Sequence, residues 1–127
     1  MNIPENLKYT KDHEWILIED NYAKIGITDF AQSELGDIVY VECETQGETL
    51  EAESVFGTVE AVKTVSDLFM PVSGSIESFN DKLEDTPEII NDDPYGDGWM
   101  IKIKISNPQE LSSLLDSKAY ERLLKGE

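Results

Sequence analysis

The sequence predicts a mainly β domain: a flattened β-barrel or sandwich hybrid with one short internal helix and a helix at the C-terminal end. Three observations carry that prediction. Apolar and polar residues alternate in many short segments, the period-two signature of strands with one face in a core. Gly, Pro, Asp and Asn fall between those segments, where turns belong. Helical spacing is confined to residues 28–36 and 107–124.

The elements follow in chain order. EWILIE (14–19) and YAKIGI (22–27) are predicted strands joined by Asp20-Asn21 as a hairpin turn. TDFAQSELG (28–36) fits a short helix, with Thr28 as its N-cap and Gly36 just past its end. DIVYVECE alternates so that Val39, Val41 and Cys43 share one face and Tyr40, Glu42 and Glu44 the other. VFGTVEAV (55–62), LFMPV (68–72) and GSIESF (74–79) are predicted strands whose alternation, like that of EWILIE and YAKIGI, is weaker than in DIVYVECE and WMIKIKIS. In WMIKIKIS, Ile101, Ile103 and Ile105 oppose Lys102 and Lys104. NPQELSSLLDSKAYERLL predicts one helix over 107–124, capped by Asn107, with Pro108 in the first turn and Glu110 as a capping-box partner. Leu111, Leu114, Leu115, Ala119 and Leu123 give it an apolar stripe for packing on the sheet. At 127 residues these elements form a single domain spanning 1–127.

Charge narrows the function. With 27 acidic and 10 basic side chains the chain carries a formal −17, which opposes binding to nucleic-acid phosphates or to an anionic membrane surface. It favours solubility and steered encounters with basic partner surfaces. Cys43 is the only cysteine, so no intramolecular disulfide forms and a reducing compartment is expected, with the thiol buried and inert. His13 is the only histidine, too few for a histidine zinc site. MNIPENLKYT has neither a basic region nor an apolar run, so a cytoplasmic location is expected. A calcium loop counted from Asp93 fails because its twelfth position is Lys104. No glycine-rich phosphate loop occurs, and the carboxylates are too many to single out an acid–base pair. The absence of a catalytic set weighs against an enzyme.

One cation stands apart. Between Ile25 and Asp81 the chain carries twelve carboxylates, and Lys63 is its only Lys or Arg. Apolar-patterned strands flank it, which puts Lys63 near the exposed bend of a hairpin, reachable by another protein. Acylation there would turn an ammonium into a neutral amide on an acidic face. A solvated lysine balancing Glu60 or Asp67 is the ordinary alternative.

The surrounding residues resolve that choice. FGTVEAVKTVSDLFMPVSGSI, then PEIINDDPYGDGWMIKI, with HEW (13–15) and GITDFAQSELGDIVYV (26–41) upstream in the same order, resemble the H-protein family of the glycine cleavage system. That family has an E-S-V-K-type lipoylation motif, then S-D-L, a proline and a glycine. The resemblance runs from about Leu7 to Leu124 and implies a lipoyl-domain-like fold and a carrier rather than a catalyst. It implies lipoic acid in amide linkage to Lys63, attached by a lipoyl or octanoyl transferase or ligase. The expected partners are glycine decarboxylase (the P protein), which loads an aminomethyl group, and aminomethyltransferase (the T protein), which removes it. Dihydrolipoyl dehydrogenase (the L protein) then reoxidises the dithiol. A monomer best serves three partners.

Glu14 and Asp67 match family positions that line a cleft for the loaded arm, where a carboxylate would stabilise a protonated amine. Ala61 stands where the family commonly has Ser. Glu34 stands where some relatives have His, so no cleft role is carried over to it. Two other readings are an unmodified acidic interaction module and a donor of lipoyl groups to other enzymes. Biotin carriers usually flank the lysine with methionines, whereas Val62 and Thr64 stand here.

Overall fold

The computed structural model describes residues 2–126. Nine strands and four short α-helices follow one another among them: β1 (Lys8–Tyr9), β2 (Glu14–Glu19), β3 (Tyr22–Ile27), α1 (Asp29–Leu35), β4 (Ile38–Glu42), β5 (Thr49–Leu50), β6 (Val55–Ala61), β7 (Val65–Phe69), β8 (Gly74–Phe79), α2 (Lys82–Asp85), α3 (Ile89–Asp92), β9 (Ile101–Ile105) and α4 (Ser117–Leu124). A six-stranded sheet runs β1-β2-β3-β9-β8-β5, and a three-stranded sheet runs β4-β6-β7. All the pairings are antiparallel.

Alternation explains which faces meet. Ile16 on β2, Ala23 and Ile25 on β3, Ile76 on β8 and Ile101 and Ile103 on β9 all point inward and are buried. From the smaller sheet, Ile38, Val41, Phe56, Val59 and Leu68 complete the same core. A separate apolar cluster of Leu7, Tyr9, Trp15 and Tyr120 ties the first hairpin to α4. Asp20, at φ +58°, makes the two-residue turn between β2 and β3, a conformation that Asp tolerates better than most residues.

The fold is the predicted one, with local departures. Residues 107–124 do not form one helix. Pro108–Ser113 is a 3₁₀ turn, Leu114 is extended, and α4 starts only at Ser117. The interruption has a specific cause: Leu115 exchanges backbone hydrogen bonds with Tyr9, both 2.8 Å, and so adds a bridge to β1. Asp116 then starts a new helix by accepting from the Ala119 amide. Glu110 is no capping-box partner; its carboxylate accepts from the amide and hydroxyl of Ser73. In β4 a register shift between Ile38 and Tyr40 breaks the expected alternation. Val39 therefore stands 48% exposed instead of facing the core, and Cys43 is half-buried rather than buried. The strand read at 68–72 is β7 at Val65–Phe69.

Gly57 holds the small sheet together by having no side chain. A Cβ there would collide with the backbone carbonyl of Glu42 on β4, a contact that no rotamer change relieves. Gly57→Ala is expected to lose about 1–3 kcal/mol of unfolding free energy through overpacking. Urea unfolding followed by circular dichroism measures it.

Candidate functional site

The β6–β7 hairpin turns through residues 62–64. The Ala61 amide donates to the Thr64 carbonyl at 2.8 Å, and the Val62 amide donates to Asp37 at 3.0 Å. Those two bonds fix the backbone and use no side chain. Lys63 sits at this tip, exposed, between Val62 and Val65, which are 76% and 60% exposed. Ion pairs among the described residues join Lys82 to Asp97 and Lys125 to Glu121; neither Glu60 nor Asp67 pairs with Lys63.

Gly36 ends α1 at φ +81°, a conformation that favours glycine. The stem of Lys63 lies over it, so that a Cβ on Gly36 would stand 3.4 Å from Cε. The lysine thus starts beside the last turn of α1. That helix forms one wall of a cleft of about 300 Å³, through Phe30, Ala31, Glu34 and Leu35. The opposite walls come from Asp12 and His13 in the turn before β2, from Glu14 at the start of β2 and from β7, including Asp67.

Glu14 is the unusual residue. It is 2% exposed, yet the strand places it there by parity, since Glu14, Ile16 and Ile18 share one face of β2. Its Oε2 accepts from the Phe69 amide of the other sheet at 2.8 Å, while Oε1 is buried with no partner. Burial pushes its carboxyl well above the ordinary range; the Phe69 bond opposes this, and the nearby charges of Asp12 and Glu53 add to it. A buried, half-satisfied carboxyl is costly unless a donor or cation meets it.

The structure therefore brings the two expected cleft acids together, Glu14 buried and Asp67 exposed on the rim. Glu34, for which no cleft role was expected, also lines the wall. His13, set aside above as a lone metal ligand, and Thr28 and Gly36, read above only as helix caps, also stand at the site; their roles depend on what α4 and the hairpin bring against them. The parity of Glu14 with two core isoleucines was the one signal available for its burial.

Two unequal sheets around one core, with an exposed lysine at a hairpin tip beside an acid-lined cleft, define a carrier-type scaffold of the lipoyl-domain kind. A family model described as Glycine cleavage H-protein matches residues 7–127. The chain belongs to that family. It is 60% identical over 126 residues to the glycine cleavage system H protein of Chlorobium limicola, covering 98% of each chain. It is 55% identical over 124 residues to that of Bacteroides fragilis, again covering 98% of each. The crystal structure of a glycine cleavage system H protein from Mycobacterium marinum matches with a TM-score of 0.87 at 38% identity, over 97% of this chain and 99% of that one.

Proposed function

We propose that Lys63 is the attachment point of lipoic acid and that the chain is a non-catalytic carrier of the glycine cleavage system. The single observation that carries this reading is the exposed lysine tip beside a cleft holding an unpartnered buried carboxyl. Both halves fit a lipoyl arm. The tip offers an amine whose acylation breaks no ion pair among the described residues, and Gly36 leaves room for the lysine stem. When bound, lipoate supplies a dithiolane that accepts a one-carbon cargo or electrons at its sulfurs.

The rest is work for the chain's own residues. The two backbone bonds fix the turn and leave Val62, Lys63 and Val65 exposed at its tip, so that an arm on Lys63 can enter a partner's active site. A tether of this kind raises the local concentration of cargo wherever the body docks. Glu14 takes up a cationic cargo: a protonated amine against Oε1 supplies the missing hydrogen bonds and stabilises the carboxylate. The attraction strengthens as the cleft walls exclude water. Asp67 adds negative charge at the mouth. The partners in this reading are glycine decarboxylase, aminomethyltransferase and dihydrolipoyl dehydrogenase, with a lipoyl or octanoyl transferase or ligase loading Lys63. The −17 charge suits brief, salt-sensitive docking on basic surfaces, in the cytoplasm and as a monomer.

Intact mass and peptide mapping of the chain from lipoate-supplied cells test the attachment. One lipoyl adduct on the peptide containing Lys63 is the expected result. A bare Lys63 in cells whose other lipoyl proteins are fully modified would overturn it.

A further inference from the structure

A buried hydrogen-bond chain joins α4 to the cleft wall. Tyr120 of α4 is fully buried and stacks on Tyr9, with ring centroids 4.7 Å apart and planes 7° from parallel. Its hydroxyl lies 2.7 Å from Thr28 Oγ1 and 2.9 Å from His13 Nδ1. Thr28, itself buried, accepts the Ala31 amide at 3.2 Å as the N-cap of α1. His13 is half-buried, held at φ +66°, and its carbonyl accepts from the Thr28 amide at 3.0 Å.

Counting protons fixes the direction of the chain. Thr28 has one hydroxyl proton; its Oγ1 meets the Ala31 amide, which is itself a donor, and Tyr120 Oη, which is the acceptor available to it among the described residues. Tyr120 also has one proton, and His13 Nδ1 is the acceptor left for it. Any other arrangement leaves a buried hydroxyl proton unsatisfied, which is costly. The chain thus runs from the Ala31 amide to Thr28, from Thr28 to Tyr120 and from Tyr120 to His13. It requires an unprotonated Nδ1.

We propose that Tyr120 is a positioning residue that holds His13 in the cleft wall as a neutral imidazole with its proton on Nε2. His13 lines the same cleft as Glu14, and an imidazolium there would repel the cation that the buried carboxyl is suited to hold. The groups facing the ring are Asp12 on its own turn, Glu34 and Phe30 from α1 (ring centroids 4.8 Å apart), and Tyr120 from α4. Both acids favour the charged ring, but burial outweighs them and pulls His13 below its ordinary value. The hydrogen bond from Tyr120 acts in the same direction as burial. The purpose given to the cleft rests on the carrier reading; the hydrogen-bond chain stands without it.

His13 is the only histidine, so long-range ¹H–¹⁵N spectra of the unlipoylated full-length chain report on it alone. The wild type is expected to show the Nε2–H tautomer at neutral pH. Tyr120→Phe keeps the ring stack and removes the hydroxyl. It is expected to mix the tautomers and raise the proton affinity of His13 about three- to tenfold. Leu124→Ala, which loosens the packing of α4 without touching the hydroxyl, is expected to leave the tautomer unchanged. An Nδ1–H tautomer in the wild type overturns the proposal, whether or not the variants fold. So does a titration that Tyr120→Phe leaves in place, or one that Leu124→Ala moves equally. None of these signals depends on whether Lys63 is acylated, so failure here is distinct from failure of the carrier reading.

Discussion

Lys63→Ala is expected to abolish lipoyl attachment and, with it, all glycine–bicarbonate exchange supported with glycine decarboxylase, while unfolding like the parent chain. The structural half of that expectation comes from the tip itself. The bonds that shape the turn run between Ala61 and Thr64 and between Val62 and Asp37, and none uses the Lys63 side chain. Removing an exposed side chain with no ion-pair partner among the described residues should change stability by no more than about 0.5 kcal/mol. The functional half is all-or-none, because an amide needs an acylatable amine. Lys63→Arg sharpens the test: it keeps the positive charge but offers only a guanidinium. If Lys63 mattered merely as a cation for docking, Lys63→Arg would retain exchange. Mass spectrometry of both variants and the exchange assay decide between the two, and residual exchange in either would remove Lys63 as the carrier group.

What could be read in advance depended on how local the physics was. β3 and β9 were legible because each lays one face on the core, so their period-two pattern is written within six residues or fewer; β2 was legible as an apolar run, since it buries Ile16 in the main core and Trp15 on its other face in the second cluster. β1 and β5 are two residues each, too short to carry any period. Leu111, Leu114 and Leu115 keep helical spacing, but Leu115 gives its backbone to Tyr9, and spacing cannot reveal a partner over a hundred residues away. A second N-cap at Asp116 was the clue that the helix restarts there. The site divides the same way. Lys63 stood out because its neighbourhood is so anionic, and Thr28 and Gly36 cap α1 where the sequence put them. The contacts of His13 with Tyr120 and of Glu14 with Phe69 join distant segments, and only the folded chain brings them together.

Glu14→Gln is expected to stabilise the unloaded chain at neutral and alkaline pH while impairing retention of a cationic cargo. Gln is the informative replacement, because its side-chain oxygen can still accept from the Phe69 amide that Glu14 now satisfies; Ala would orphan that donor. The sign of the pH effect follows from proton counting. Burial raises the Glu14 carboxyl in the folded state. From the ordinary carboxylate range upward, the folded chain therefore holds a proton that the unfolded chain has lost, and stability falls as pH rises through that window. Removing the titrating group flattens this dependence. The gain at alkaline pH comes from removing a buried negative charge, less the cost of the unpartnered amide nitrogen that Gln puts in the place of Oε1, and should be about 1 kcal/mol or more; it should vanish below the ordinary carboxylate range, where both states are protonated. Thermal unfolding of both chains across that range measures it. The loaded carrier should respond in the opposite sense. Without a carboxylate against Oε1's position, a bound ammonium loses a charge-assisted hydrogen bond, and ammonia release should quicken about tenfold or more. Parallel pH–stability curves would remove burial as a cost carried by Glu14. Unchanged ammonia release would leave the residue structural and take it out of the carrier's chemistry. A gain in stability coupled to a loss of retention is what distinguishes a carboxylate kept for its cargo from one kept for the fold.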